Sequence, residues 1–197
     1  MAKLKEIVDF LNKEMRIKSI PDSSKNGLQV KAKTEIDKIG FAVDSDLTTL
    51  KKAKEAKVDM LISHHGIIWL PLKYKDLLKK KIDFLKKNNL SFYACHLPLD
   101  AHHNYGNNIE LCRLLDLVKT KPFGKYHGAT VGYSGELKKT KSLNEIASIL
   151  NKKLDTKCKV FAFGKKTIKS IGIVSGGGTD CLPDAVEQKK DCFLTGE

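Results

Sequence analysis

Val58-Asp59-Met60-Leu61-Ile62-Ser63-His64-His65-Gly66 is the stretch whose reading decides the fold. Val58 to Ser63 is a short apolar run closed by a glycine, the pattern of a buried strand. Upstream, residues 46–57 read as a helix, preceded by a strand from Ile36 to Val43 that ends at Asp44. Downstream, residues 74–88 read as a lysine-rich helix with Tyr74, Leu77, Leu78, Ile82 and Leu85 on one stripe. Leu90 to His96 is a third strand, and residues 107–117 a further helix. Strands alternating with helices of this length predict an α/β fold with parallel strands. An N-terminal helix over residues 3–15 carries Leu4, Ile7, Val8, Leu11 and Met15 on one face.

The pattern changes between residues 118 and 141, where Pro122 and Gly124, Gly128, Gly132 and Gly135 fall close together and Ala129 to Leu137 reads as extended. A second α/β series follows. It comprises helix 142–154, strands 158–163 and 168–174, the Ser175-Gly176-Gly177-Gly178 turn, helix 180–189 and strand 191–195. The expected organisation is therefore two lobes with mixed, largely parallel sheets, one over residues 1–124 and one over 125–197.

Composition excludes several classes. The chain has 197 residues, 41% hydrophobic and 30% charged, an ordinary globular mixture. No apolar run approaches the roughly 18 residues of a membrane span, and charges interrupt the apolar N-terminus, so no secretory signal is read. The net charge of +13 comes almost wholly from lysine, with Arg16 and Arg113 the arginines. Dispersed lysines read as a solvated surface or as a field that attracts phosphate-bearing ligands, and argue against a nucleic-acid reader, which favours arginine forks. Five cysteines, Cys95, Cys112, Cys158, Cys181 and Cys192, show no CxxC spacing and read as reduced thiols of a cytoplasmic protein.

The chemistry gathers at strand ends. In parallel sheets, ligands collect at the carboxyl ends of neighbouring strands. His64 and His65 end one strand, and His96-Leu97-Pro98-Leu99-Asp100-Ala101-His102-His103 follows the next. Imidazoles are ligands for zinc, iron and related metals, and a carboxylate can bridge two cations. His64, His65 and Asp100 are thus the expected metal set, against the plainer reading of a surface histidine pair. His96 is either a ligand or a group that orients Asp100, the latter being favoured. His102 and His103 are either substitute ligands or a solvent-facing pair. Asp44 is on the same edge but also suits a helix cap. His127 has no evident partner. The glycine turn reads as a plain turn rather than a phosphate cradle, since it lacks the Gly-Lys-Ser/Thr ending.

Five motifs in order resemble the NIF-three-like family: Asn26-Gly27-Leu28-Gln29-Val30; Ser63-His64-His65-Gly66 with Trp69; His96-Leu97-Pro98-Leu99-Asp100-Ala101-His102 with Gly106-Asn107-Asn108; Gly176-Gly177-Gly178; and Thr195-Gly196-Glu197. Its members are also called dinuclear-metal-centre hexameric proteins and GTP cyclohydrolase 1 type 2 homologues. The resemblance implies a two-lobed fold, a hollow homohexamer and two divalent metal ions (zinc, iron, manganese, cobalt or nickel). His64, His65 and a bridging Asp100 would be direct ligands, with His96 close by. It also implies a histidine and a glutamate beyond Thr195-Gly196-Glu197, which have no counterpart here. The chain is therefore expected to be cut short and to hold metal incompletely unless His102, His103 or Glu197 substitutes. Where the family often has Pro-Glu, this chain has His103-Asn104.

Two functions follow from the resemblance and the residues. One is a metal-dependent hydrolase acting on a purine nucleotide of the GTP type. The other is a non-catalytic metal-binding or metal-delivery protein that works through partners.

Overall fold

The computed structural model describes residues 1–196. The chain divides into two compact units, Met1–Leu99 and the residues from Asp100 onward. The division falls earlier than the 124/125 boundary expected from sequence. The helix over residues 107–114 belongs with the second unit because Ile109, Cys112 and Leu115 are buried there with Leu137, Ile146, Ile171 and Ile173.

The first unit begins with β1 (Ala2–Lys3) and α1 (Leu4–Glu14), followed by β2 (Gly27–Val30), β3 (Glu35–Ile36) and β4 (Ile39–Ala42). Then come α2 (Leu47–Glu55), β5 (Met60–Ser63), α3 (Lys75–Lys87), β6 (Ser91–Ala94) and the short α4 (Leu97–Asp100). Its main sheet has the order β2-β6-β5-β4. β4, β5 and β6 are parallel, and β2 is added antiparallel to β6. The apolar stripe of α1 puts Leu4, Ile7 and Val8 against Met60 and Tyr93. On a second cluster, Leu78, Ile82 and Leu85 of α3 pack with Leu50, Leu61 and Phe92. Asp46, not Asp44, caps α2: its side chain accepts from Thr49 N at 2.8 Å.

Asp59, just before β5, ties the β3–β4 connection to the sheet. Its carboxylate accepts from Asp37 N (2.9 Å) and Lys38 N (3.0 Å) and pairs with Lys33. The Lys33 ammonium and those amides lower its pKa from 3.8 to about 2. A depressed carboxylate contributes stability that is complete above the unfolded value and is lost as pH falls through the folded one. Asp59→Asn should therefore cost about 1–2 kcal/mol at neutral pH, discounted because Lys33 is part-exposed. In urea melts that gap should narrow steadily as the pH is taken from about 4 down to about 2.

The second unit contains α5 (Asn107–Leu114), β7 (Leu117–Tyr126), β8 (Ala129–Lys141), α6 (Leu143–Leu154), β9 (Ile168–Val174), a 3-10 turn (Gly178–Cys181), α7 (Leu182–Glu187) and β10 (Cys192–Thr195). Its sheet has the order β10-β9-β8-β7, with β10 parallel to β9 and the remaining pairs antiparallel. Ser142 and Glu145 form a capping box that starts α6. The expected strand over 158–163 does not form. Val160, Phe161 and Phe163 are exposed and pair with no neighbouring strand among the described residues. An alternating apolar run becomes a strand only where a ladder partner takes up its backbone groups.

All five cysteines are thiols rather than disulfides, and Cys95, Cys112 and Cys181 are buried. Burial pushes the Cys112 thiol up to about 12 and Cys192 to about 11. Among the described residues, no helix is long and apolar enough to cross a membrane.

Candidate metal centre

His64 and His65 follow directly on β5, and the backbone ladder continues through them. His64 N donates to Ala42 O at 3.1 Å and His65 N to Val43 O at 2.8 Å. Two neighbouring residues then present their rings to one region, with centroids 4.7 Å apart. Gly66 follows because the chain passes tightly here: a Cβ at this position would lie 2.4 Å from Gln29 Nε2 and 2.9 Å from Ser24 Oγ. The Gln29 side-chain oxygen holds the next turn by accepting from Ile67 N (2.8 Å) and Ile68 N (3.1 Å).

His96 follows β6, the neighbouring parallel strand, and its ring centroid lies 5.0 Å from that of His64 and 5.6 Å from that of His65. One potential ligand atom from each of His64, His65 and His96 lies within 4.8 Å of the other two. Each ring is anchored through Nδ1 to an oxygen. His64 Nδ1 meets Cys95 O at 3.0 Å, His65 Nδ1 meets Asp44 Oδ1 at 2.7 Å, and His96 Nδ1 meets Asp22 Oδ1 at 3.0 Å. A carbonyl or carboxylate partner can only accept, so Nδ1 carries the proton and the lone pair falls on Nε2. That is how metal-binding imidazoles are oriented and made more basic. Zinc, iron and similar ions accept such nitrogen sets, so the donor chemistry fits a divalent metal.

Asp22 organises this edge. Besides His96 it accepts from Ser24 N (2.9 Å), Asn26 Nδ2 (2.9 Å) and Leu97 N (3.1 Å). Burial pushes its pKa up, but the hydrogen bonds from His96, Asn26 and Ser24 outweigh burial and hold it below the ordinary value. Asn26 completes the clamp by accepting from His96 N at 2.7 Å. Asp22→Asn should weaken zinc binding by about 10–100-fold, read by competition against a chelating dye, while far-UV circular dichroism stays unchanged.

Asp100 ends α4 and begins the second unit, where its Oδ1 accepts from Asn107 Nδ2 (2.6 Å) and Ser175 Oγ (3.1 Å). His102 is buried; its Nδ1 accepts from Asn104 N (3.3 Å) and Tyr105 N (3.1 Å), and its ring stacks on Tyr105. His103 is exposed beside it. His127 occupies the left-handed position of the β7–β8 turn against Tyr126. In the glycine turn, Gly178 N donates to Gly176 O and to Thr195 Oγ1, as a plain turn would. Glu197 lies outside the described residues.

The sequence alone leaves Asp22 unassigned and offers Asp44 only as an edge residue or a cap. Nothing in the loop from Ile20 to Ser24 signals a tie to His96, because the contact joins segments far apart in the chain.

The sequence profile of the Duf34/NIF3 (NGG1p interacting factor 3) family matches residues 2–197. The chain belongs to the DUF34/NIF3 family. It is 47% identical, over 98% of its length, to a GTP cyclohydrolase 1 type 2 homolog of Pyrococcus horikoshii and spans 77% of that relative. Its fold matches TTHA1606 from Thermus thermophilus with a TM-score of 0.88 at 35% identity, covering 100% of this chain and 78% of that one. It matches the protein ybgI with the same TM-score at 29% identity, again covering 100% and 78%. This DUF34/NIF3 chain thus has the two-unit α/β architecture expected from its motifs.

Proposed function

We propose that this DUF34/NIF3 chain is a divalent-metal-binding protein built on His64, His65 and His96, and that it is a metal-dependent hydrolase of the GTP cyclohydrolase 1 type 2 kind. The observation that carries the metal reading is the three-histidine cluster with every Nδ1 held by an oxygen. The homohexamer is carried over from the sequence resemblance, the second metal ion bridged by Asp100 from that resemblance together with the ability of a carboxylate to hold two cations, and the cytoplasmic setting from the reduced cysteines. Support for hydrolysis comes from the curated relatives' name. A bound divalent ion would supply Lewis-acid polarisation and activation of water. The chain's own contribution is orientation: Asp22, Asp44 and the Cys95 carbonyl fix how the imidazoles are presented.

The test is elemental analysis and calorimetry of the purified 197-residue chain with Zn²⁺ and Mn²⁺, followed by incubation with GTP and other nucleotides. At least one ion per chain and metal-dependent loss of substrate are expected. No saturable metal binding would end the whole reading. Tight binding without turnover of any nucleotide would end the hydrolase part and leave a metal-binding or metal-delivery protein.

A further inference from the structure

Beside the histidine cluster, the connection from β5 to α3 forms a pocket of about 330 Å³. It is lined by Ile67, Trp69, Leu72, Tyr74 and Leu77, with Lys81 on its wall. That volume is at the small end of small-molecule sites, which combine apolar walls with a few placed polar groups. Leu70, Leu72, Tyr74 and Leu77 are exposed large apolar residues within one short span, a local concentration that marks binding surfaces. The indole of Trp69 stands between the two features. Its Nε1 donates to Gly66 O at 2.7 Å, and its ring lies 5.0 Å from that of His96 and 6.1 Å from that of His65. One aromatic side chain therefore lines the pocket and packs against two of the three histidines.

We infer that this pocket binds a planar heteroaromatic ring carrying an anionic group, the ring lying against Trp69 and the anion meeting Lys81. The inference deepens the metal-centre reading, since a ring seated there lies next to His65 and His96. Charge complementarity selects the ligand class. Lys73 and Lys81 are the charged groups of the lining. Facing carboxylates bear on Lys81 through Asp46, whose oxygen is engaged in capping α2. Burial lowers the Lys81 pKa despite Asp46, as expected of an ammonium partly withdrawn from water. Aromatic walls favour flat rings, which stack on them with little dependence on ring identity.

Trp69 is the sole tryptophan, so its fluorescence reports directly on the pocket. The probes are AMP, adenosine (ring without charge) and inorganic phosphate (charge without ring), each titrated into zinc-loaded and EDTA-treated protein. AMP should quench saturably in both states, with adenosine about tenfold weaker and phosphate silent. Lys81→Met should bring AMP to the affinity of adenosine, and Leu77→Glu, at an exposed position, should weaken AMP further. Absence of saturable quenching by AMP, or quenching indifferent to both substitutions, overturns the inference. Zinc bound with no AMP effect defeats the pocket alone; AMP bound with no zinc uptake defeats the metal centre alone.

Discussion

Replacing His96 by alanine is expected to weaken zinc binding at least about a hundredfold, as much as replacing His64. The sequence pattern favours His96 as a helper that orients a neighbouring carboxylate. Loss of such a helper costs about 10–100-fold, so a small effect would return His96 to that role. The geometry favours the larger loss. The His96 ring sits as near His64 as His65 does to within a few tenths of an ångström, at 5.0 Å against 4.7 Å. Its backbone and ring are both clamped, by Asn26 and Asp22. Equal losses for His64→Ala and His96→Ala in calorimetry, with thermal melts of the metal-free proteins unchanged, would establish three equivalent ligands.

The other large expected effect is on stability. Asn108 is 0% exposed, and its side-chain hydrogen bonds go to backbone. Its Nδ2 donates to Asp100 O (3.2 Å) and Val131 O (2.9 Å), and its Oδ1 accepts from Ser175 N at 2.6 Å. The side chain thus pins the start of the second unit, β8 and the end of β9 to one another. Asn108→Ala would leave buried carbonyls and an amide without that partner, each costing about 1–3 kcal/mol, for a total of about 3–5 kcal/mol. Urea unfolding followed by circular dichroism gives the loss, and amide exchange should show it concentrated in β8 and β9. A loss under about 1 kcal/mol would mean that water takes over these bonds.

Most of the first unit is legible in the sequence because its signals are local. The helices α1, α2 and α3 carry apolar stripes of the right period, and β5 and β6 are short apolar runs closed by polar residues. β2 is hidden because the run from Ile20 to Val30 reads as a loop, and Gly27 takes a positive φ of 98° where the strand starts. β7 is hidden by Pro122 and Gly124, residues that argue against a strand unless it is an edge, which β7 is. The converse error falls at residues 158–163, where a strand-like pattern lacks a ladder partner among the described residues. The same division holds at the site. His64 and His65 stand out as a pair at a strand end. Asp22 does not, since its role arises only once β2 and β6 are paired and the loop before β2 is brought to His96.

The β7–β8 pairing bears on the order in which the second unit assembles. Tyr126 meets Ala129 across the turn at His127-Gly128, and the ladder runs outward to Leu117 opposite Leu137. Such contacts close small loops and form on the microsecond scale. In the first unit, by contrast, Met60 must find Ser91 across the whole of α3 before β5 and β6 can join. The hairpin is therefore expected to form first in its unit, ahead of the pairing of β9 with β8 and of β10 with β9. A substitution that disfavours the left-handed turn at its tip, such as Gly128→Val, is therefore expected to slow refolding of this unit more than it speeds unfolding, as stopped-flow measurements would read.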